Sequence, residues 1–187
     1  MTAAKVPPRP GLHAGAARLA EILRVNHAGE LGAVHIYRGQ RAVLDAAPGR
    51  EALSARLVEM ESHEAVHLAR FEALLTQKRV RPTLMAPLWR IAGFALGAGT
   101  ALMGEAATHA CTEAVESVIE AHYADQIAEL SDQAPDLAAE IVGVRNEELA
   151  HRDEAVAAGA RDAPVYPLLA AVIRVGCRAA IKLSEKI

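Results

Sequence analysis

Apolar residues recur at alternating steps of four and three along one stretch of the chain. The positions are Leu53, Leu57, Met60, Glu64, His67, Phe71 and Leu74. This spacing is typical of the buried seam of a helix in a bundle. It predicts a helix that starts near Arg50 and is closed by residues 79–82. Glu64 and His67 occupy consecutive positions of this otherwise apolar seam.

The same pattern returns 84 residues further on. It comprises Leu137, Ile141, Val144, Glu148, His151, Ala155 and Ala158, so that Glu and His again fall at equivalent places. A shift of 86 relates Glu30, Tyr37, Gln40 and Leu44 to Glu116, Tyr123, Gln126 and Leu130. Two similar helical hairpins therefore follow one another, which indicates an internal duplication and predicts a four-helix bundle.

Proline and glycine divide the rest of the chain. Residues 1–15 are expected to form a flexible N-terminal arm, and residues 16–187 a single domain. The first helix is expected over about residues 16–46, Pro135 ends the fourth, and residues 159–167 separate the fifth from a short sixth. Residues 91–104 carry no charge and are too few for a spanning helix, which needs about 17–25 residues. The segment 83–104 is therefore expected to be a buried or interfacial helix.

Composition agrees with an all-α fold. The 187 residues include 41 Ala and only 6 aromatic residues, which favours helices over strands. With 52% hydrophobic and 23% charged residues the chain is not disordered, and a net charge of −3 gives no electrostatic footprint for nucleic acid. The two cysteines, Cys111 and Cys177, favour a reducing compartment. The first residues lack the apolar core of a secretory signal.

Four carboxylates are predicted at one level of the core. They are Glu30, Glu64, Glu116 and Glu148, accompanied by the seam histidines His67 and His151. Unpaired buried ions are costly, and no Lys or Arg lies on the seam to neutralise them. Two divalent cations would balance the four charges, and this oxygen-rich donor set suits iron or manganese better than zinc or copper. The arrangement is that of carboxylate-bridged dimetal bundles; seam residues that only set register are the alternative.

Other polar residues lie near the seam, and most of them are expected to have roles outside the metal site. Glu59, Glu61, Glu72 and Glu147 fall off the seam and are expected to be solvated. His63 is expected at the rim, with a place behind a ligand as the alternative. Glu113 and Glu120 flank Glu116 at helical spacing and are possible substitutes for it. Cys111 is expected to be a packing residue.

These residues lie in stretches that resemble the demethoxyubiquinone hydroxylase family of ubiquinone biosynthesis, from about residue 19 to the C-terminus. The stretches are RVNHAGE at 24–30, IYRGQ at 36–40, EAVH at 64–67, ACTEAVE at 110–116, AHY at 121–123, QI at 126–127, EELAH at 147–151 and GCRAAIKLSE at 176–185. The ligands of the family fall on the same six positions. Asn26 stands where Asp is common, and Lys182 where some members have an aromatic residue.

The resemblance implies a ferritin-like diiron monooxygenase that hydroxylates the ring of a polyprenylated demethoxyubiquinol with O2. The two external electrons would come from NADH, either directly or through the quinone itself; the chain has no glycine-rich dinucleotide-binding motif. His122 and Tyr123 are expected near the metals, either ordering the ligands and carrying electrons and protons, or simply packing. Partners would be the benzoquinol substrate, membrane lipid, and either further copies of the chain or other ubiquinone-biosynthesis proteins.

A polyprenyl substrate resides in the bilayer, so residues 83–104 are expected to form a membrane-interfacial helix beside the bundle. A fifth core helix is the alternative, and the uncharged residues 164–173 could join the same face. The expected location is peripheral, on the cytoplasmic side of a bacterial inner membrane, or on the matrix side of the mitochondrial one. The rival functions are an iron store, a dimanganese catalase, and a non-enzymatic scaffold at the membrane surface.

Overall fold

The computed structural model describes residues 14–186, and the regular elements in that range are all helical. Apart from a 3₁₀ turn at Ala160–Asp162, they are α1 Ala14–Leu44, α2 Glu51–Lys78, α3 Ala86–Leu102, α4 Glu105–Leu130, α5 Pro135–Ala157 and α6 Tyr166–Lys186. The all-α prediction is confirmed. Residues 1–13 of the predicted N-terminal arm lie outside the described residues.

The helices of the two hairpins, α1–α2 and α4–α5, form the predicted four-helix bundle. The α2 seam is buried at all seven of its predicted positions. At its end Arg79 takes a left-handed conformation (φ 55°), and its N–H donates to the Leu75 and Thr76 carbonyls. The α5 seam is buried from Ile141 to Ala155, but Ala158 lies beyond the end of the helix and is exposed. The last predicted position of that seam is therefore wrong.

Two apolar layers fill the bundle above and below its middle. One layer contains Leu23, Phe71, Tyr123 and Ile141, and the other contains Tyr37, Leu57 and Met60. Phe71 and Tyr123 lie nearly parallel, with ring centroids 6.4 Å apart. The six predicted ligands belong to neither layer and occupy the level between them. The sequence pattern of a polar level within an apolar core is thus reproduced in the fold.

Helix α3 lies against α1 at a distance that only glycine permits. A Cβ at Gly97 would fall 2.0 Å from the Ile36 carbonyl oxygen, and one at Gly39 would fall 2.1 Å from the Phe94 carbonyl oxygen. Because Gly93 meets Gly32 and Gly97 meets Ile36, the two helices run parallel. One face of α3 is therefore packed on the bundle, while the other is exposed at Leu88, Ile91 and Phe94.

Helix α6 corrects the expectation of a short C-terminal helix. It has 21 residues and starts at Tyr166, because Pro167 falls in its first turn, where the missing N–H has no cost. Arg174 Nη2 binds Glu113 of α4 at 2.6 Å, and Trp89 Nε1 of α3 donates to Ser184 Oγ at 2.9 Å. Helices α3 and α6 thus cover neighbouring parts of the bundle.

Both covering helices expose apolar side chains, which together we name the α3/α6 face. Its members are Leu84, Leu88, Ile91, Phe94, Leu102, Met103, Val165, Leu168, Val172, Val175 and Leu183. None of the helices between residues 14 and 186 is both long and apolar enough to cross a membrane.

Candidate metal centre

Each of the four bundle helices brings acidic side chains to the middle level. Helix α1 contributes Glu30 and α4 contributes Glu116, while α2 and α5 each contribute a Glu and a His one turn apart. The four residues from α2 and α5 are Glu64, His67, Glu148 and His151. All six residues are buried, none more than 5% exposed. The repeat predicted that these residues share one level of the core, and the structure places them there.

The six residues form two overlapping groups of possible ligand atoms. One group is Glu30, Glu64, His67 and Glu148, and the other is Glu64, Glu116, Glu148 and His151. Within each group the candidate atoms lie within 4.8 Å of one another. Glu64 and Glu148 belong to both groups, while Glu30 and Glu116 each belong to one.

Several of these buried atoms have no hydrogen-bond partner, which is costly unless something else satisfies them. They are Glu64 Oε1, His67 Nδ1, Glu116 Oε2, both carboxylate oxygens of Glu148, and His151 Nδ1. Both imidazoles turn Nδ1 toward carboxylates: His67 Nδ1 is 3.3 Å from Glu148, and His151 Nδ1 is 3.2 Å from Glu64. Inward-facing oxygens with two imidazole nitrogens are a donor set that fits a pair of divalent cations.

The electrostatics of the cluster show how strongly it needs positive charge. Burial raises the pKa of Glu30 and Glu116 well above the usual carboxyl range, and the charges of Glu64 and Glu148 raise them further. Burial alone would also raise the pKa of Glu64, but hydrogen bonding to His151 and His67 outweighs it and lowers that pKa to about 2. Against the effect of burial, neighbouring carboxylates raise the pKa of His151 to about 9. Without metal, protons would compensate the carboxylates.

Two tyrosines donate to the carboxylates that belong to one group only, which we name the end carboxylates, again in a repeated arrangement. Tyr37 Oη donates to Glu116 at 3.2 Å, and Tyr123 Oη donates to Glu30. His122 contacts a different side chain: its Nε2 is 2.7 Å from Gln126 Nε2, and Gln126 in turn pairs with Asn26. Tyr123 therefore donates to a predicted ligand, whereas the hydrogen-bond partner of His122 is Gln126.

Each histidine of the cluster also has a contact on its outer nitrogen. The sequence left such a place open for His63 as an alternative, but it gave no sign of the contact made by Glu147. His67 Nε2 lies 3.1 Å from Glu147 Oε2, and His151 Nε2 lies 3.1 Å from His63 Nδ1. Glu147 is half exposed, as expected, but it is not merely solvated. His63 is half-buried rather than a free rim residue. The offset of 84 relates position 63 to position 147 and could have flagged the pair.

The remaining candidates lie outside the cluster. Glu113 binds Arg174 and Tyr166, and Glu120 binds Arg145 at 2.8 Å, so neither substitutes for Glu116. Glu61 is not solvated as expected, because Arg38 and Arg41 cover it and leave its side chain 14% exposed. Glu59 and Glu72 are exposed. Cys111 is buried in an apolar cluster with Ile36 and Ala114, which confirms its packing role, and burial raises its pKa to about 12.

The comparison with protein families decides the assignment. Residues 17–184 match the family described as "Ubiquinone biosynthesis protein COQ7". The chain belongs to this family. It is 50% identical over 179 residues to the 3-demethoxyubiquinol 3-hydroxylase of Rhodospirillum rubrum, an alignment that covers 95% of this chain and 82% of that protein.

Mitochondrial relatives extend the COQ7 family match. The NADPH-dependent 3-demethoxyubiquinone 3-hydroxylase of Mus musculus is 47% identical over 169 residues, 88% of this chain and 76% of that protein. The 5-demethoxyubiquinone hydroxylase of Saccharomyces cerevisiae is 39% identical over 189 residues, 93% of this chain and 80% of that protein. The resemblance noted from the sequence motifs is thereby confirmed, and so is its ferritin-like bundle.

Proposed function

We propose that this member of the COQ7 family is a diiron monooxygenase that hydroxylates the ring of a polyprenylated demethoxyubiquinol in ubiquinone biosynthesis. The observation that carries the proposal is the buried set of six residues, with unpartnered carboxylate and imidazole atoms facing one another between two apolar layers. The relatives described above are named hydroxylases, which favours this function over an iron store, a dimanganese catalase or a scaffold.

In the proposed centre, Glu30 and Glu116 would each bind one iron ion, and Glu64 and Glu148 would bridge the two. His67 and His151 would complete the donor set through Nδ1. When bound, a pair of iron ions supplies the activation of O2 for insertion of one oxygen atom into an aromatic ring. The second oxygen atom leaves as water, so two electrons are required from outside. The surrounding protein keeps bulk water away, since the cluster residues are almost fully buried.

The electrons are proposed to come from a reduced nicotinamide cofactor. The family resemblance implies NADH, and the mouse relative is named NADPH-dependent. The described residues 14–186 contain no strand on which a dinucleotide-binding fold could form, so any such contact is at a helical surface. Tyr123, which donates to Glu30, is proposed to order that ligand and to assist reduction, with His122 in a supporting position.

The substrate also suggests where the protein works. A polyprenyl quinol resides in lipid, so we propose that the α3/α6 face docks on one leaflet of a bilayer. The apolar side chains of the face supply buried area, and the exposed basic residues Arg90, Arg178 and Lys182 lie along the same helices and suit anionic headgroups. The proposed location is peripheral, at the cytoplasmic side of a bacterial inner membrane or the matrix side of its mitochondrial counterpart.

Metal analysis with an activity assay tests this proposal. Protein produced with iron is expected to carry about two iron ions per chain and to convert a short-tailed demethoxyubiquinol to its hydroxylated product with O2 and a chemical reductant. Glu148→Gln should lower metal content and abolish turnover, because Glu148 belongs to both groups of ligand atoms. Asp153→Asn, on the exposed side of the same helix, is the matched control.

The outcome is read from iron content and product mass together. Full iron occupancy and full turnover in the Glu148→Gln protein would remove this residue from the centre. Iron-loaded parent protein that consumes no quinol would refute the hydroxylase function.

A further inference from the structure

We propose that Glu147 and His63 are positioning residues that make the two metal positions inequivalent, so that the position served by His67 holds a divalent metal more tightly than the position served by His151. This inference rests on the proposed metal centre and deepens it. It concerns the residues that contact the outer nitrogens of the two histidines. The ligand set alone does not distinguish the two metal positions.

The ligand set itself is nearly symmetric. The internal repeat pairs Glu30 with Glu116, Glu64 with Glu148 and His67 with His151. The tyrosines that donate to the end carboxylates, Tyr37 and Tyr123, are also related by the repeat. Ligand identity and these donors therefore give no reason for one position to bind metal more strongly than the other.

The two halves first differ on the outer side of the histidines. His67 Nε2 lies 3.1 Å from a carboxylate oxygen of Glu147. A carboxylate only accepts, so His67 donates from Nε2, and in the neutral imidazole that would bind metal the lone pair is on Nδ1, directed at the cluster. A carboxylate behind a ligand imidazole fixes its tautomer and makes it a stronger base toward metal.

His151 has a weaker partner. Its Nε2 lies 3.1 Å from His63 Nδ1, and the two rings are nearly parallel, with 13° between their planes and 5.3 Å between their centroids. The distance between the centroids is about the N···N distance plus the distance from each ring centre to its nitrogen. The two nitrogens therefore lie nearly on the line between the ring centres, and the imidazoles meet edge to edge. A neutral imidazole nitrogen accepts less strongly than a carboxylate, because charge-assisted hydrogen bonds are roughly twice as strong.

Positions 63 and 147 are equivalent in the repeat, and each side chain reaches the histidine of the opposite hairpin. The difference between the metal positions therefore comes from one pair of equivalent residues that carry different side chains. Glu147 is about half exposed, with 53% of its side chain accessible, so solvent weakens its effect. We expect a difference near the lower end of the range for outer-shell partners, about tenfold in metal affinity.

Anaerobic titration of metal-free protein with Co²⁺, followed by absorbance and by calorimetry, tests the inference without turnover. The parent should bind two equivalents in two steps. Glu147→Gln should weaken the tighter step about tenfold and leave the weaker step unchanged. His63→Glu should tighten the weaker step, and Asp153→Asn should reproduce the parent titration. The Tm values of the metal-free variants should lie within the range spanned by the parent and Asp153→Asn proteins.

Two indistinguishable binding steps in the parent would overturn the inference, as would equal weakening of both steps in Glu147→Gln. A parent that binds no metal would overturn the proposed centre as well. If the parent binds two equivalents and hydroxylates quinol while both variants match it, the proposed function stands and only the inequivalence fails.

Discussion

At the scale of single residues, the centre depends on donors as much as on ligands. Tyr123 donates to Glu30, an end carboxylate whose buried position raises its pKa, so the hydroxyl stabilises its charged form. Loss of this hydroxyl leaves Glu30 one hydrogen bond short at the point where it must hold a metal. His122 lacks such a contact, since its partner is Gln126.

This difference gives a kinetic prediction. Tyr123→Phe should slow the reduction of the diferric protein by NADH plus quinone about tenfold at unchanged iron content, and His122→Ala should have a smaller effect. Stopped-flow absorbance measures the rate. Tyr166→Phe is the control, because its hydroxyl binds Glu113 away from the cluster. If the Tyr123→Phe and His122→Ala proteins are both reduced at the parent rate, neither residue serves the reduction.

The six residues of the cluster could be predicted because two local patterns coincide. Glu64 and His67 interrupt a seam of otherwise apolar residues, and the repeat finds the same interruption at Glu148 and His151. The repeat also relates positions 63 and 147, but what surrounds Glu61, Glu147 and His63 could not be read from the apolar seam. Their surroundings depend on how closely another helix approaches, which the periodicity of one helix does not encode.

At the scale of elements, the contact between α1 and α3 shows why certain glycines are required. The backbone of Ile36 occupies the space that a side chain at Gly97 would need, whereas a Cβ at Gly99 meets nothing within 4 Å. The two positions lie two residues apart on the same helix, and only one of them faces α1.

Paired substitutions exploit this geometry. Gly97→Ala should lower the free energy of unfolding by about 1–3 kcal/mol, because α3 must move away from α1. Gly99→Ala should leave it unchanged or raise it by up to about 1 kcal/mol, since alanine is the better helix former. Urea unfolding followed by circular dichroism measures both. Equal stability of the two variants would mean that the close approach of α3 is unimportant.

The ends of the helices could be predicted less well from the sequence than the presence of the helices. The helix breaks around residues 48, 80 and 135 follow from proline and glycine, and the structure has them there. Helix α6 is longer than expected: it begins at Tyr166, inside the predicted break, because proline is compatible with a first helical turn, and it continues to Lys186. Whether residues 83–104 form a core or a surface helix could not be read from hydrophobicity, since α3 has both a packed and an exposed face.

At the scale of the whole molecule, the two hairpins meet through the apolar layer of Leu23, Phe71, Tyr123 and Ile141, through the buried polar cluster, and through ion pairs at the surface. Arg18 binds Glu129 at 2.9 Å, Arg56 binds Glu154, and Arg70 binds Glu140. The apolar surface that remains exposed is concentrated instead on α3 and α6. The molecule thus has one side formed by the charged surfaces of α2 and α5, and another carrying the α3/α6 face.

Membrane docking through this face can be tested with matched variants. Ile91 and Phe94 are 69% and 43% exposed on α3, while Val66 and Val58 are 69% and 43% exposed on α2. Replacing Ile91 and Phe94 together by Asp should lower binding to anionic liposomes about tenfold or more, because apolar area is lost and negative charge added. Replacing Val66 and Val58 by Asp should have little effect. Leu96 of the same helix packs against a buried apolar cluster, so it stays unchanged in these variants.

Co-sedimentation with vesicles measures the bound fraction, and a short-tailed quinol shows whether the centre remains intact. If both double variants lose binding equally, the loss is caused by the added negative charge and not by the α3/α6 face. Unchanged binding in both would mean that the α3/α6 face does not hold the protein on lipid.

The sharing of Glu64 and Glu148 has an evolutionary consequence. Neither hairpin contains a full set of ligands, so a single-hairpin ancestor could have built such a centre only by pairing with its own copy. In a symmetric pair of that kind, the residue behind each histidine must be the same in both copies. Once two hairpins are joined in one chain, positions 63 and 147 are free to diverge. A histidine at one and a glutamate at the other is therefore a difference that gene fusion permits and a symmetric homodimer forbids.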